Sequence, residues 1–128
     1  MKSLKYFLLI TSVSLFFNSV IFAQDFPQAL RTGNFRVLAS SFNANVELNF
    51  LGNEGFYSKA QAEQILKDFM QRNIPSAYSP KHQGVSKDGS QYIIGVLETS
   101  TGLFRTYIYM QKVGDVQFIK EMRIEKER

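Results

Sequence analysis

Gly55-Phe56-Tyr57-Ser58-Lys59-Ala60-Gln61-Ala62-Glu63-Gln64-Ile65-Leu66-Lys67-Asp68-Phe69-Met70 reads as a capped amphipathic helix almost residue by residue. Ser58 and Gln61 stand three apart, the capping-box spacing in which the serine oxygen accepts from the Gln61 N–H while the glutamine side chain reaches back to the Ser58 N–H. Tyr57, just before the cap, is placed to staple against Ala62. Ala62, Ile65, Leu66, Phe69 and Met70 then follow at i, i+3, i+4, i+7 and i+8, one apolar stripe made to lie on a sheet. Glu63 and Lys67 form an i, i+4 pair on the wet side, and Asn73 with Pro75 supplies the stop.

Upstream of this helix the sequence predicts two short ones. Asp25 or Phe26 with Pro27 opens the first, since a proline in the first turn loses no hydrogen bond, and Thr32-Gly33 ends it. Asn34 caps the second, in which Phe35, Leu38, Ala39 and Phe42 keep the helical spacing. Asn43-Ala44-Asn45 is a turn. Val46, Leu48 and Phe50 then alternate with Glu47 and Asn49 as a half-buried strand, and Gly52-Asn53-Glu54-Gly55 turns the chain into the main helix.

Downstream, turn chemistry at Asp88-Gly89, Thr101-Gly102 and Gly114-Asp115 separates four strand-like runs, from Lys81 to Val85, Gln91 to Thr99, Leu103 to Lys112 and Val116 to Glu125. Counting outward from two-residue turns sets Glu98 opposite Arg105, Val96 opposite Tyr107 and Ile94 opposite Tyr109, with Tyr107 and Arg105 facing Met122 and Ile124 on the last strand. One face then carries Tyr92, Ile94, Val96, Tyr107, Tyr109, Phe118, Met122 and Ile124. This face is expected under the helices, because only there does the last strand present Phe118, Met122 and Ile124. The opposite, outer face keeps an apolar patch, and a homodimer through it is the simplest partner.

Lys2 and Lys5, an apolar run from Tyr6 to Phe17 and the small residue Ala23 have the layout of a secretory signal peptide, with cleavage expected after Ala23. The alternative is an uncleaved anchor running from Tyr6 to Phe22, but Thr11, Ser12, Ser14, Asn18 and Ser19 dilute a stretch that barely reaches the roughly 17 residues a span needs. Residues 24–128 are then one domain, exported to the periplasm or secreted, with no membrane attachment after cleavage. Cleavage removes two lysines and no acid, lowering the formal charge from +4 to +2, too little to point to nucleic acid. The chain has no cysteine. Neither a disulfide nor a lipidated cysteine is available, so the core must hold the domain. His82 is the only histidine, and without a second His or Cys it makes no transition-metal site; no cofactor motif is present.

The order of two helices, a strand, a capped helix and a meander resembles the nuclear transport factor two-like (cystatin-like cone) superfamily. That resemblance implies an α+β fold in which two short N-terminal helices and one longer capped helix pack on a curved, mostly antiparallel sheet, a cone-shaped α+β barrel. More narrowly, Arg31-Thr32-Gly33-Asn34, Asn45-Val46-Glu47-Leu48, Tyr57 through Phe69, His82-Gln83-Gly84 and Arg123-Ile124-Glu125-Lys126 are similar to a family of small exported bacterial proteins known only as a domain of unknown function. The superfamily contains both enzymes and non-catalytic modules, and none of its catalytic motifs matches residue by residue. Tyr92, Glu98, Arg105, Tyr107 and Tyr109 are the candidate pocket residues. Two readings follow: a non-enzymatic dimeric module that binds a small apolar ligand or a protein partner, or a small isomerase, cyclase or hydrolase using Glu98 with Tyr107 or Tyr109.

Overall fold

A computed structural model describes residues 25–128; the expected signal peptide lies outside the described residues. The elements run α1 (Phe26–Thr32), α2 (Phe35–Ser40), β1 (Phe42–Phe50), β2 (Asn53–Ser58), α3 (Lys59–Arg72), β3 (Pro75–Val85), β4 (Gln91–Thr99), β5 (Gly102–Val113) and β6 (Val116–Lys126). All three helix starts follow the local chemistry. Asp25 accepts from the Gln28 N–H at 3.0 Å, Asn34 from the Val37 N–H at 3.2 Å, and Ser58 and Gln61 close both bonds of the capping box at 3.2 Å. Gly33 ends α1 in the left-handed conformation that glycine adopts without strain. Asn73 ends α3 by returning its side-chain and backbone N–H groups to the Phe69 carbonyl, each at 2.9 Å.

The strands form one curved six-stranded sheet in the order β2-β1-β6-β5-β4-β3. It has one more strand than the sequence reading, because Asn53–Ser58, which overlaps the expected Gly52–Gly55 turn and the lead-in to the helix, pairs antiparallel with β1 as an edge strand. On the other edge β3 begins at Pro75, well before Lys81, and its pairing with β4 slips between Pro75 and Ala77 and again between Pro80 and His82. Prolines lack the N–H that a ladder needs, and both slips fall beside one. The centre of the sheet joins β1 to β6 in parallel, the one parallel pairing of the described strands.

Two details of register differ from the expectation. The β4–β5 turn is Ser100-Thr101, with Thr99 opposite Gly102, so Glu98 faces Leu103, Val96 faces Arg105, Ile94 faces Tyr107 and Tyr92 faces Tyr109. The Thr99 hydroxyl organises this turn, accepting from the Thr101 N–H and donating to the Gly102 carbonyl. That slip is two residues and leaves every side chain on its expected face. The second difference is one residue and does not. The β5–β6 hairpin starts as counted, Val113 opposite Val116, but between Ile119 and Glu121 an extra residue, Lys120, bulges out of the ladder. Beyond it Met122 faces Ile108, Arg123 faces Tyr107 and Glu125 faces Arg105.

A bulge of one residue inverts the alternation of everything after it. Met122 and Ile124 therefore join Leu97, Phe104, Thr106, Ile108, Met110 and Ile119 on one face, all fully or almost fully buried, and this is the face the helices cover. Leu66, Phe69 and Met70 of α3, Leu30 of α1 and Leu38 of α2 complete the core. Phe69 stands edge-on to Phe50 and to Phe104, ring centroids 5.7 and 5.2 Å apart. The tyrosine face, expected beneath the helices, is the outer one.

Candidate functional site: the open face of the sheet

On the face away from the helices, the registers bring side chains from all six strands into rows. One row runs Phe56, Glu47, Glu121, Tyr109, Tyr92 and Gly84 from β2 to β3. The next runs Glu54, Asn49, Arg123, Tyr107, Ile94 and His82. Tyr92, Tyr107 and Tyr109 therefore do gather, and with Ile94, Glu121 and Arg123 they line a shallow groove of about 190 Å³. Arg123 ties it together, donating to Glu121 at 3.2 Å while its guanidinium lies 5.6 Å from the centre of the Tyr107 ring. Tyr109 and Glu121 also wall a neighbouring, more polar depression of about 480 Å³, floored by Glu47 and flanked by Phe56, Asn43, Asn45 and Lys120.

Glu98 and Arg105, the other two candidates, are on this face but not in the groove. Glu98 lies four residues along β4 from Ile94, about 13 Å at strand rise, so it meets neither Tyr107 nor Tyr109. Nor does it pair with Arg105, which instead grips Glu127 with two N–H···O bonds of 3.0 and 3.2 Å. That carboxylate raises the Arg105 pKa, and the bond ties Glu127 near the C-terminal end to β5. His82 sits exposed on β3 opposite Ile94. Among the described residues no group of His, Cys, Asp and Glu side chains is arranged to hold a metal ion.

Glu121, Arg123, Glu47 and Glu54 are the groove and rim residues that sequence reasoning missed. Glu47 is held above the ordinary carboxylate range, first by a hydrogen bond with Glu54, then by its partial burial and the charge of Glu121. A signal for the Glu121 and Arg123 placement was present: Ile119, Met122 and Ile124, spaced three and then two, cannot lie on one face of an unbroken strand. Among the described residues the buried polar side chains are Ser41, Ser90, Thr99 and Thr106, and burial pushes up the pKa of the Tyr78 hydroxyl on the helix face. Tyr78 packs its ring against Gly95, where a Cβ would come within 2.4 Å of the phenol oxygen.

Three helices laid on one face of a curved mixed sheet give this chain the fold of the nuclear transport factor two-like class. A protein of that class from Cytophaga hutchinsonii, itself of unknown function, superposes with a TM-score of 0.57 at 12% identity over 86% of this chain and 94% of its own. Within the class, residues 23–125 match the model of the domain of unknown function DUF4783, and the chain belongs to that family. Family members from Bacteroides ovatus and Bacteroides fragilis are 28% and 29% identical to it, with TM-scores of 0.76 and 0.74. The alignments cover 80% and 79% of this chain and 92% and 94% of theirs. No functionally curated protein matches the chain.

Proposed function

We propose that this protein is an exported, non-enzymatic binding module that works as a homodimer through the open face of its sheet, where the tyrosine groove can seat a small apolar ligand. The observation that carries this reading is the inequality of the two faces. Beneath the helices Phe50, Phe69 and Phe104 fill the space where relatives of this fold can keep a substrate. On the other face Tyr92 and Tyr109 remain 38% and 37% exposed on a rigid sheet. Tyrosine carries a large contact area at low conformational cost, and a cluster of them in a groove is typical of the core of an interface. Export rests on the leader-like residues 1–23.

Sedimentation at micromolar concentration tests the dimer. The protein should sediment as a dimer, and Tyr109→Glu should shift it to monomer with its thermal unfolding essentially unchanged, because the ring lies outside the core. A monomer across the concentration range would overturn the dimer. Native mass spectrometry of protein purified from its own host should then report a retained apolar ligand with the dimer mass. The rival enzymatic reading needs Glu98 to act with Tyr107 or Tyr109. Their separation along the sheet weighs against it, and Glu98→Gln abolishing turnover of any substrate without loss of stability would restore it.

A further inference from the structure

The two edges of the sheet are built differently. β3 carries Pro75 and Pro80, slips register beside each and sets Lys81 and His82 at its rim, the devices by which sheets refuse an added strand. β2 has neither a proline nor a slip. Its hairpin closes through Leu51 and Gly52, both at positive φ, with Phe50 opposite Asn53. In such a two-residue hairpin the closing pair exchanges hydrogen bonds, so Asn53, Gly55 and Tyr57 bond to β1, and the backbone N–H and C=O groups of Glu54 and Phe56 point away from the sheet.

Both sides of this edge are shaped. On the helix side, Tyr57 with Ala60, Gln61, Gln64 and Ile65 of α3 lines a shallow, largely apolar depression of about 540 Å³. On the open side stand Glu54 and Phe56, the latter 77% exposed. Glu54 crowds Glu47, which Glu121 also faces; of the cations at hand, Arg123 is already engaged with Glu121, and Lys120 stands at the flank of the depression, so three carboxylates face two cations. A further positive charge would relieve that crowding, and a cation over the Phe56 ring gains from the ring's quadrupole as well.

We propose that the β2 edge is a docking site for an extended peptide segment in which basic and apolar residues alternate. Its main chain continues the ladder at Glu54 and Phe56. Its apolar side chains enter the depression against Tyr57 and Ile65, and its basic side chains lie over Phe56 beside Glu54 and Glu47. Strand addition of this kind draws affinity from main-chain hydrogen bonds and specificity from the alternate side chains. The site leaves Tyr92, Tyr107 and Tyr109 untouched, so it stands or falls separately from the dimer.

The probe is a fluorescent, acetylated hexapeptide alternating lysine and valine, titrated into the purified protein. It should bind saturably and slow hydrogen exchange at the Glu54 and Phe56 amides. A peptide of the same composition in two blocks, and the alternating peptide N-methylated at every second amide, should each bind at least about tenfold more weakly. Phe56→Pro, which removes an outward N–H, and Ala60→Lys, an exposed helix substitution that puts a charge in the depression, should weaken binding similarly. Three results would overturn the proposal: no saturable binding, equal binding of the N-methylated peptide, or protection of Glu54 and Phe56 that rises with protein concentration without peptide. The last would assign the edge to a second copy of the chain.

Discussion

The two faces of the sheet are made from the same strands and differ by how much of each side chain the rest of the chain covers. Thr106, Ile108 and Met110 on β5 are buried while Arg105, Tyr107 and Tyr109, their immediate neighbours, reach the surface. On the helix face packing is close and substitution should be felt as lost stability. On the open face the aromatics are supported from below and free above, so substitution should be felt as lost binding. The difference separates a residue's role in holding the fold from any role in what the fold touches, and each can be tested alone.

The largest effect should come from Phe69→Ala, which empties the centre of the helix face and removes both edge-to-face contacts. We expect a loss of about 3–5 kcal/mol by urea denaturation, enough to unfold a domain of ordinary stability. A loss below about 1 kcal/mol would mean that the interior is loosely filled, and would reopen the enzymatic reading.

A matched pair sharpens the contrast. At Gly95 and at Gly84 an added Cβ comes within 2.4 Å of a tyrosine, Tyr78 at the first and Tyr92 at the second. Tyr78 is half-buried against the core, and the Ser79 carbonyl, 2.7 Å from the same Cβ position, is backbone that cannot swing aside. Tyr92 is on the open face and can rotate into solvent. Gly95→Ala should therefore cost about 1–3 kcal/mol and Gly84→Ala less than about 0.5, both read as shifts in the urea midpoint. Equal costs would show that the open face is as tightly held as the helix face.

The smallest effect belongs to Glu47. Its folded-state pKa lies above its unfolded one, first through the hydrogen bond its carboxyl shares with Glu54, then through partial burial and the charges of Glu121 and Glu54. Its contribution to stability is therefore present below the unfolded value and lost as pH rises through the folded value. At neutral pH Glu47→Gln relieves this repulsion, so the variant should melt at a higher temperature than the parent, and the gap should close below about pH 4. A gap that is independent of pH would assign the effect to something other than charge.

What the sequence told correctly was local. The caps at Asp25, Asn34 and Ser58 and the stripe from Ala62 to Met70 depend on residues three and four apart, and each formed where the spacing placed it. Two-residue turn counting also set the start of the β5–β6 hairpin. What it missed depends on distant partners. β2 exists as a strand because β1 pairs with it, and β1 meets β6 in parallel across more than seventy residues of sequence. The assignment of faces failed through Lys120 alone. An alternation count presumes an unbroken strand, and one bulged residue was enough to carry Met122 and Ile124 to the other side. Of the five candidate residues, the three tyrosines share a groove because they lie on neighbouring strands in phase. Glu98 does not, because the β4–β5 turn falls one residue earlier than the glycine implied, and Arg105, beside Tyr107 on β5, turns to Glu127 instead.

The strand order also determines when folding can finish. β6, the last strand in the chain, lies at the middle of the sheet between β1 and β5, so the ribbon of β1 and β2 and the meander of β3, β4 and β5 have no pairing to each other until it arrives. During synthesis, or passage through a pore with the N-terminus leading, the two halves emerge with only the helices to bridge them, as Phe69 does between Phe50 and Phe104, and with no ladder between their strands. Completion of the sheet falls to β6, and until then Leu48 on one half and Ile108 on the other await the same residue, Met122. A chain held back short of its final strand has its sheet in two unpaired parts, open to proteases and chaperones along the line where β6 belongs.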